Sequence, residues 1–152
     1  MAKPPDAPQA GSPFWWFWER FTDVHTGLYK ASRGRIGATY QGAPIALVES
    51  VGRKSGKKRT HPLICMADGD GLVVVASKGG IDLHPAWYLN LKANPETDAW
   101  WHGRKRRVRA RDAEGEERER LWKLMTSLYP AYEAYQRRTE RRIPVVVLEP
   151  TR

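Results

Sequence analysis

The sequence predicts a mainly β (α+β) domain, an antiparallel barrel of about six strands with a few peripheral helices. Strand and helix patterns do not alternate regularly along the chain, which argues against a parallel Rossmann sheet. The strongest local signal is a hairpin, because the turn sequence D-G-D-G at 68–71 separates two apolar runs. The second run, 72–76, lacks the alternation of a half-exposed strand, so we expect both of its faces to be covered.

The other elements follow from similar patterns. A helix is expected from about Pro85 to Asn94, because proline favours a first turn and the following proline ends the helix. Residues 114–128 predict a second helix with an acidic first turn, which Pro130 breaks. Gly103 marks the turn of a second hairpin. The predicted strands are 44–51, 60–67, 72–77, 97–102, 104–113 and 143–148.

Composition limits the kinds of function. The 152 residues are most simply one domain, and an excess of 26 Lys and Arg over 17 Asp and Glu predicts an anionic partner. The single cysteine, Cys65, excludes an internal disulfide and a thiolate cluster. The four histidines share no metal-ligand spacing, so no metal is expected. A reducing cytoplasm is the predicted compartment.

Three regions are predicted along the chain. Residues 1–13, rich in Pro, Ala, Gly and Ser, predict a disordered tail with no signal peptide. Residues 14–40 predict an amphipathic helix and a basic linker, and residues 41–152 the barrel domain. The first turn of that helix is rich in Trp and Phe. Three interpretations remain open: the helix lies in the headgroup layer of a membrane, forms a lid over a ligand, or caps the core. Its apolar stripe is Phe14, Phe17, Trp18, Phe21, Val24, His25 and Leu28.

A basic segment, V-G-R-K-S-G-K-K-R-T-H-P-L at 51–63, joins two predicted strands. Gly52 and Gly56 allow a tight turn whose amide groups and surrounding cations would suit phosphate oxygens. It is not a P-loop, because only three residues separate the glycines and no Ser or Thr follows Lys57. A solvated basic turn is the alternative interpretation.

A second basic segment is the predicted strand 104–113. Alternation places four cations on one face, which must be solvated or meet an anionic surface. We favour a solvated edge strand that charge protects against aggregation. The four cations are Lys105, Arg107, Arg109 and Arg111.

The residues favour redox chemistry carried by a bound cofactor. The sequence has no G-x-S-x-G motif and no carboxylate isolated in apolar sequence, so hydrolysis is poorly supported. Many aromatics and few nucleophiles are typical of a cofactor pocket. Candidates to line it are Ser77, Lys78, Trp87 and Tyr88, with a core position as the alternative for Trp87. Core packing and an acceptor pocket both remain open for Tyr129, Tyr132 and Tyr135.

Several motifs together resemble the deazaflavin-dependent nitroreductase family. They occur in the family's order and cover about residues 41–150. The motifs are G-R-K-S-G-K-x-R-x-x-P-L at 52–63, A-S-K at 76–78, P-x-W-Y-L-N-L-x-A-N-P at 85–95, R-A-R-D-A at 109–113, Y-P-x-Y-x-x-Y-Q at 129–136 and I-P-V-V-V-x-E-P at 143–150.

This resemblance implies a split β-barrel of the flavin-reductase type that binds coenzyme F420, a deazaflavin with a phosphate and an oligoglutamate tail. It implies that the phosphate is held by Arg53, Lys54, Ser55 and Arg59. The ring system would be bordered by Pro62, Ala76, Ser77, Lys78, Trp87 and Tyr88. The acceptor pocket would be shaped by Tyr129, Tyr132 and Tyr135, and Ser77 or a tyrosine could assist protonation.

The resemblance further implies hydride transfer from the reduced deazaflavin to a quinone, or adventitiously to a nitroaromatic. A membrane quinone would explain the aromatic N-terminal helix, so we expect a cytoplasmic protein that contacts the inner membrane face. One alternative is a reductase of the same barrel that uses FMN or acts on another substrate, such as an unsaturated lipid. A nucleic-acid-binding module is the alternative from another class, but no such signature is present and we expect no nucleic-acid partner.

Overall fold

A computed structural model describes residues 24–31, 39–40 and 42–151 of the chain. Its strands are β1 (Thr39–Tyr40), β2 (Ala43–Val51), β3 (Lys58–Asp68), β4 (Gly71–Val75), β5 (Glu96–Trp101), β6 (Arg104–Asp112) and β7 (Val145–Pro150). Its helices are α1 (helical at 24–31), α2 (Ala86–Ala93), α3 (Gly115–Leu128) and α4 (Ala131–Arg138), with one 3₁₀ turn at Lys78–Gly80.

The strands form a closed antiparallel barrel. Six of them follow one another in the order β2-β3-β4-β7-β6-β5, and β5 pairs with β2 to close the ring. The closing contact is short, with Leu47 opposite Trp100 and Val48 opposite Ala99. The two-residue strand β1 pairs with β2 outside this ring. The predicted fold class is therefore confirmed.

The hairpin β3–β4 forms as the turn sequence predicts, although β4 ends at Val75 rather than at Ser77. Both faces of β4 are buried, as its lack of alternation indicates. Leu72 and Val74 belong to the cluster inside the barrel. Val73 and Val75 belong to a second cluster outside it.

Helices cover both clusters. Helix α2 lies in the connection between β4 and β5. It contributes Trp87, Tyr88 and Leu91 to the interior cluster and so covers the barrel interior. Helix α3 packs Leu121 and Met125 on the outer faces of β4 and β7, in the second cluster. The predicted break at Pro130 is confirmed, because α3 ends at Leu128 and α4 starts at Ala131.

The prediction that 104–113 is an edge strand is wrong, whereas its face of four cations is solvated as predicted, with side chains 41–59% exposed. Strand β6 lies between β5 and β7, and its four outward cations meet carboxylates. The reason is that β7 pairs with β6 on the side opposite β5, so that carboxylates of β5, β7 and α3 lie beside the cations. The pairs are Lys105 with Asp98 (3.1 Å), Arg107 with Asp98 (3.5 Å), Arg109 with Glu96 (3.5 Å), Arg111 with Glu117 (2.6 Å) and Arg111 with Glu149 (2.7 Å).

The predicted N-terminal helix is described only at its end, and the tail 1–13 and the stripe positions from Phe14 to Phe21 lie outside the described residues. At that end two stripe positions do not face the barrel, since Val24 is 64% and Leu28 47% exposed, whereas His25 is partly buried. Instead Tyr29 is buried, and the ammonium of Lys30 lies 4.1 Å from the Trp100 ring centroid. Within the described ranges no helix is long and apolar enough to cross a bilayer.

Candidate functional site

The predicted basic turn connects β2 directly to β3. The Gly52 amide donates to the Lys57 carbonyl (2.8 Å), and the Gly56 amide donates to the Gly52 carbonyl (2.8 Å). Gly56 has φ +70°, a conformation that favours glycine. We call residues 52–59 the basic loop. Its shape is set by its own backbone hydrogen bonds, as the glycine spacing predicts.

Arg53 fastens the basic loop to α2. Its backbone amide (3.2 Å) and its Nη1 (2.9 Å) both donate to Oδ1 of Asn90. Asn90 in turn donates to the Ser50 hydroxyl (3.4 Å), which lies 2.9 Å from Nε2 of His61. Ser50 and Asn90 are buried, so this chain of polar groups links the loop to the barrel wall. Asn90 was not predicted to have this role, although a polar side chain between Trp87 and Leu91 on a buried helix indicates a hydrogen-bonded position.

Acid should destabilise the fold through His61. Burial lowers the pKa of His61 to about 4, and the Arg59 charge acts in the same direction. In an unfolded chain the pKa is about 6.5, so the unfolded state binds the proton first. The free energy of unfolding should therefore fall as the pH drops from about 6.5 toward about 4, by at most about 1.4 kcal/mol per pH unit.

Urea unfolding between about pH 4 and pH 7 measures this slope. His61→Gln should flatten it, because the titrating ring is removed. His102→Asn, at an exposed position in the turn between β5 and β6, should keep the wild-type slope. A wild-type slope that persists in His61→Gln would assign the acid sensitivity to other groups.

The cations of the basic loop differ from those of β6 in having no counter-charges. Lys54, Lys57, Lys58 and Arg59 are exposed, and within the described part of the chain none forms a salt bridge with a carboxylate. Four like charges over six positions repel one another unless an anion joins them. The basic loop is therefore the strongest candidate for an anion-binding surface.

The segment after β4 has an unusual backbone. Lys78 (φ +45°), Gly79 (φ +65°) and Gly80 (φ +79°) are consecutive residues in the left-handed region, which costs a residue with a side chain about 1 kcal/mol or more. A Cβ atom on Gly80 would lie 2.5 Å from the carbonyl oxygen of Tyr135. Only glycine at this position lets the backbones of the segment and of α4 approach so closely.

Two arginines hold this segment from the α4 side. Arg141 donates to the carbonyls of Ile81 (2.8 Å), Ser77 (2.7 Å) and Ala76 (3.3 Å). Arg138 donates to the carbonyl of Gly79 (3.0 Å). Four backbone carbonyls are thereby satisfied, and the Ser77 hydroxyl is left without a hydrogen-bond partner among the described residues. Neither arginine was predicted, since a run of four arginines between 137 and 142 does not show which of them is directed inward.

The three predicted tyrosines form one cluster. The Tyr129 and Tyr132 ring centroids are 5.0 Å apart, those of Tyr132 and Tyr135 are 6.3 Å apart, and the Tyr129 and Tyr135 hydroxyl oxygens are 3.4 Å apart. Tyr132 is only 4% exposed, whereas the other two are half-buried and, like Ile64 of β3, pack against the second cluster. Burial raises the pKa of both Tyr129 and Tyr132, so their phenols stay neutral at physiological pH. The cluster is thus partly core and partly a polar surface.

Trp87 and Tyr88 lie inside the barrel rather than on an open surface. They are 7% and 8% exposed and pack with Ala76 in the interior cluster. The Tyr88 hydroxyl donates to Asp112 (2.9 Å), and burial, followed by this hydrogen bond, raises the pKa of Tyr88. This is the core position that the sequence analysis kept as the alternative for Trp87.

The predicted site residues fall into three neighbouring groups. The basic loop contacts α2 through Arg53, and α2 packs on Ala76, where the clamped segment 76–81 begins. That segment touches α4, which carries part of the tyrosine cluster. Pro62 lies on β3 opposite Leu47, two positions before Ile64, and therefore on the face of β3 that looks toward the tyrosines. Among the described residues no hydrogen bond or ring contact joins the basic loop directly to the tyrosines.

Solved structures place this barrel in a functional class. A structure described as an F420-H2-dependent reductase is 46% identical, covers 70% of this chain and 94% of its own, and superimposes with a TM-score of 0.65. A second structure, described as a domain-swapped dimer, is 39% identical, covers 91% of this chain and 100% of its own, with a TM-score of 0.66. The class is that of split-barrel oxidoreductases that use a reduced deazaflavin.

Sequence comparison defines the family within this class. The family model of F420H(2)-dependent quinone reductases matches residues 21–150. An F420H(2)-dependent quinone reductase of Mycobacterium tuberculosis is 39% identical over 129 residues, which are 82% of this chain and 87% of the relative. The chain belongs to the F420H(2)-dependent quinone reductase family. The resemblance found from the motifs is confirmed, and with it an oxidoreductase whose cofactor is coenzyme F420.

Proposed function

We propose that the basic loop binds the phosphate of F420 through Arg53, Lys54, Ser55 and Arg59, with Lys57 and Lys58 close to the carboxylate tail. The observation that supports this most directly is the absence of salt bridges from these cations within the described residues, in contrast to the paired cations of β6. A phosphate with several carboxylates requires such a set of donors. The donor set therefore fits the cofactor.

The ring system would lie along Pro62 and the segment Ala76–Lys78. The fixed backbone there supports this placement, because Arg141 and Arg138 occupy the carbonyls and keep the segment rigid. Trp87 and Tyr88 would support the ring from within the barrel instead of stacking on an open face. When bound in its reduced form, the deazaflavin supplies a hydride.

We assign the acceptor, a quinone, to the surface formed by Tyr129, Tyr132, Tyr135 and Ile64. Aromatic rings would pack against a flat quinone, and the half-buried hydroxyls of Tyr129 and Tyr135 would donate hydrogen bonds to its oxygen. The raised pKa of Tyr129 suits a donor, because a neutral phenol can stabilise the negative charge that develops on that oxygen. The unpartnered Ser77 hydroxyl is a second candidate to deliver a proton.

Tyr129→Phe should lower kcat for quinone reduction by roughly ten- to a hundredfold, since one hydrogen bond to a developing charge is lost. F420 affinity should stay within about twofold, because the hydroxyl is not part of the basic loop. Steady-state kinetics with a soluble quinone and fluorescence titration with F420 measure the two quantities separately.

Leu124→Ala is the matched control, as it removes an exposed side chain from α3 without touching the cluster. It should leave both kcat and F420 affinity unchanged. Equal losses of turnover and cofactor affinity in Tyr129→Phe would return this tyrosine to a structural role.

The proposed function as a whole is tested by titrating the purified chain with F420, FMN and single-stranded DNA at physiological salt. We expect saturable F420 binding and oxidation of the reduced cofactor by a quinone. Binding of FMN in preference to F420 would support the FMN-dependent alternative. Strong binding to DNA with a steep salt dependence, and none to F420, would support the nucleic-acid module.

We also propose that the protein is cytoplasmic and meets the inner membrane face through its aromatic N-terminal segment. The exposed apolar positions Val24 and Leu28 support this, as they lie on the side of α1 away from Tyr29. Flotation with anionic liposomes should recover the full chain, and a variant with Val24 and Leu28 changed to serine should float less. Identical flotation of the two proteins would remove the membrane proposal.

A further inference from the structure

A cavity of about 220 Å³ lies where the start of α3 meets the residues before β7 and the segment that leads into α2. It is separate from the basic loop and from the tyrosine cluster. Its polar wall consists of His84, Tyr88, Asp112, Glu114, Arg118 and Arg142. Of these only Tyr88 was expected to border the cofactor, and its hydroxyl is already bound to Asp112.

Arg118 is the most unusual residue of this wall. It is only 9% exposed, and its Nη1 has no hydrogen-bond partner among the described residues. Its guanidinium carbon lies 5.3 Å from the Trp122 ring centroid, which packs one side of the group but satisfies none of its N–H donors. A buried charged donor without an acceptor is costly and rare in proteins.

A second cation, Arg142, lines the same cavity. Burial lowers the pKa of Arg118, and the charge of Arg142 lowers it further. Neither arginine forms a salt bridge within the part of the chain that the structure describes. The charge of nearby Asp112 acts in the opposite direction on the pKa of Arg118, but no hydrogen bond joins the two side chains among the described residues. The Oδ2 atom of Asp112 accepts instead from Lys92 (2.9 Å) and from Tyr88 (2.9 Å).

The cavity also touches the N-terminus of α3, a helix of 14 residues. Of the residues in its wall, Ala113 and Glu114 directly precede this helix, and Arg118 lies in its first turn. The residue that precedes the helix, Glu114, forms no side-chain hydrogen bond to the first turn, so the amide groups there lack a capping acceptor. The helix dipole adds positive potential at the same place.

We propose that this cavity binds a small oxyanion, the phosphate or carboxylate group of a ligand other than F420, between Arg118, Arg142 and the N-terminus of α3. A volume of about 220 Å³ holds one phosphate or one short dicarboxylate with a few waters, at about 30 Å³ per water. It is too small for a deazaflavin with its tail. The two guanidinium groups supply charge-assisted hydrogen bonds, and the bound anion relieves their mutual repulsion.

The test uses the full chain carrying Lys54→Ala and Arg59→Ala, which weakens anion binding at the basic loop, and every further variant is compared with this parent. Thermal unfolding is followed against inorganic phosphate or malonate at constant ionic strength. We expect a saturable rise in Tm with at least one of them, because an anion that binds only the folded state stabilises it. A rise with phosphate alone assigns the site to phosphate groups, and a rise with malonate alone assigns it to carboxylates.

Arg142→Ala, at an exposed position, should weaken this anion binding by roughly ten- to a hundredfold, and Arg118→Leu should abolish it. Arg120→Ala is the matched control, since it removes a cation of the same helix whose guanidinium is already paired with Asp68 (3.0 Å). It should leave the anion affinity unchanged. The proposal is overturned if no saturable rise occurs, or if Arg142→Ala binds the anion as the parent does. The proposed F420 binding is measured separately with the unmodified chain, so a failure of the anion proposal and a failure of the F420 proposal can be told apart.

Discussion

Changing Lys54 and Arg59 together to alanine is expected to weaken F420 binding by roughly a hundredfold or more. Each is exposed and lacks a carboxylate partner within the described residues, so each is available to the cofactor phosphate. A hydrogen bond from a cation to such a group contributes about 1.5–3 kcal/mol, and about 1.4 kcal/mol corresponds to tenfold in Kd. Solvent screening of an exposed loop keeps the expected loss at the lower end of that range.

Fluorescence titration with F420 measures this loss, and the control is Lys105→Ala with Arg107→Ala on β6. The control removes the same formal charge, but from a face where Asp98 already pairs with both cations. It should change the Kd by no more than about twofold. A similar loss in both double variants would mean that overall charge, and not the basic loop, attracts the cofactor.

Gly80→Ala should lower the free energy of unfolding by about 2–4 kcal/mol. The new Cβ would lie 2.5 Å from the carbonyl oxygen and 2.7 Å from the Cα of Tyr135, atoms of a helix backbone that cannot move alone. Steric overlap of this kind costs about 1–3 kcal/mol, and the left-handed backbone adds about 1 kcal/mol. Since the segment 76–81 would shift, turnover should fall as well.

Gly42→Ala separates the two contributions, because Gly42 has φ +80° and no atom within 4 Å of the added Cβ. Urea unfolding of both variants should show a loss of about 1 kcal/mol for Gly42→Ala and about 1–3 kcal/mol more for Gly80→Ala. If the two losses are equal, the close approach of Tyr135 does not constrain this segment.

Local signals were sufficient to predict most of the strands and helices. The D-G-D-G turn defines the β3–β4 hairpin, and the unbroken apolar run of β4 predicted burial on two faces, one toward the barrel interior and one toward α3. Both depend on residues that are close in sequence, where turn chemistry and side-chain alternation act directly. The basic loop was predictable for the same reason, since its glycines and cations lie within eight consecutive residues.

Contacts between distant segments were not predictable. Strand β6 was interpreted as an edge because its sequence does not reveal that β7, which follows two helices later, pairs with its second side. Arg141 holds Ser77 from 64 positions away, and Arg53 reaches Asn90 across 37, so neither partner can be inferred from neighbouring residues. Tyr129, Tyr132 and Tyr135 show a further limit, because regular spacing places them together but does not reveal that Tyr132 is buried while its neighbours are partly accessible.

The pairing of the β6 cations affects where the positive electrostatic potential around the protein attracts a diffusing anion. Although the chain carries a formal charge of +9, a cation a few ångströms from a carboxylate contributes little beyond a Debye length of about 8 Å at physiological ionic strength. The potential that extends farther into solution therefore comes mainly from groups such as the basic loop. An encounter with a multiply charged molecule is steered toward that loop before any contact forms, which raises the association rate most when salt is low.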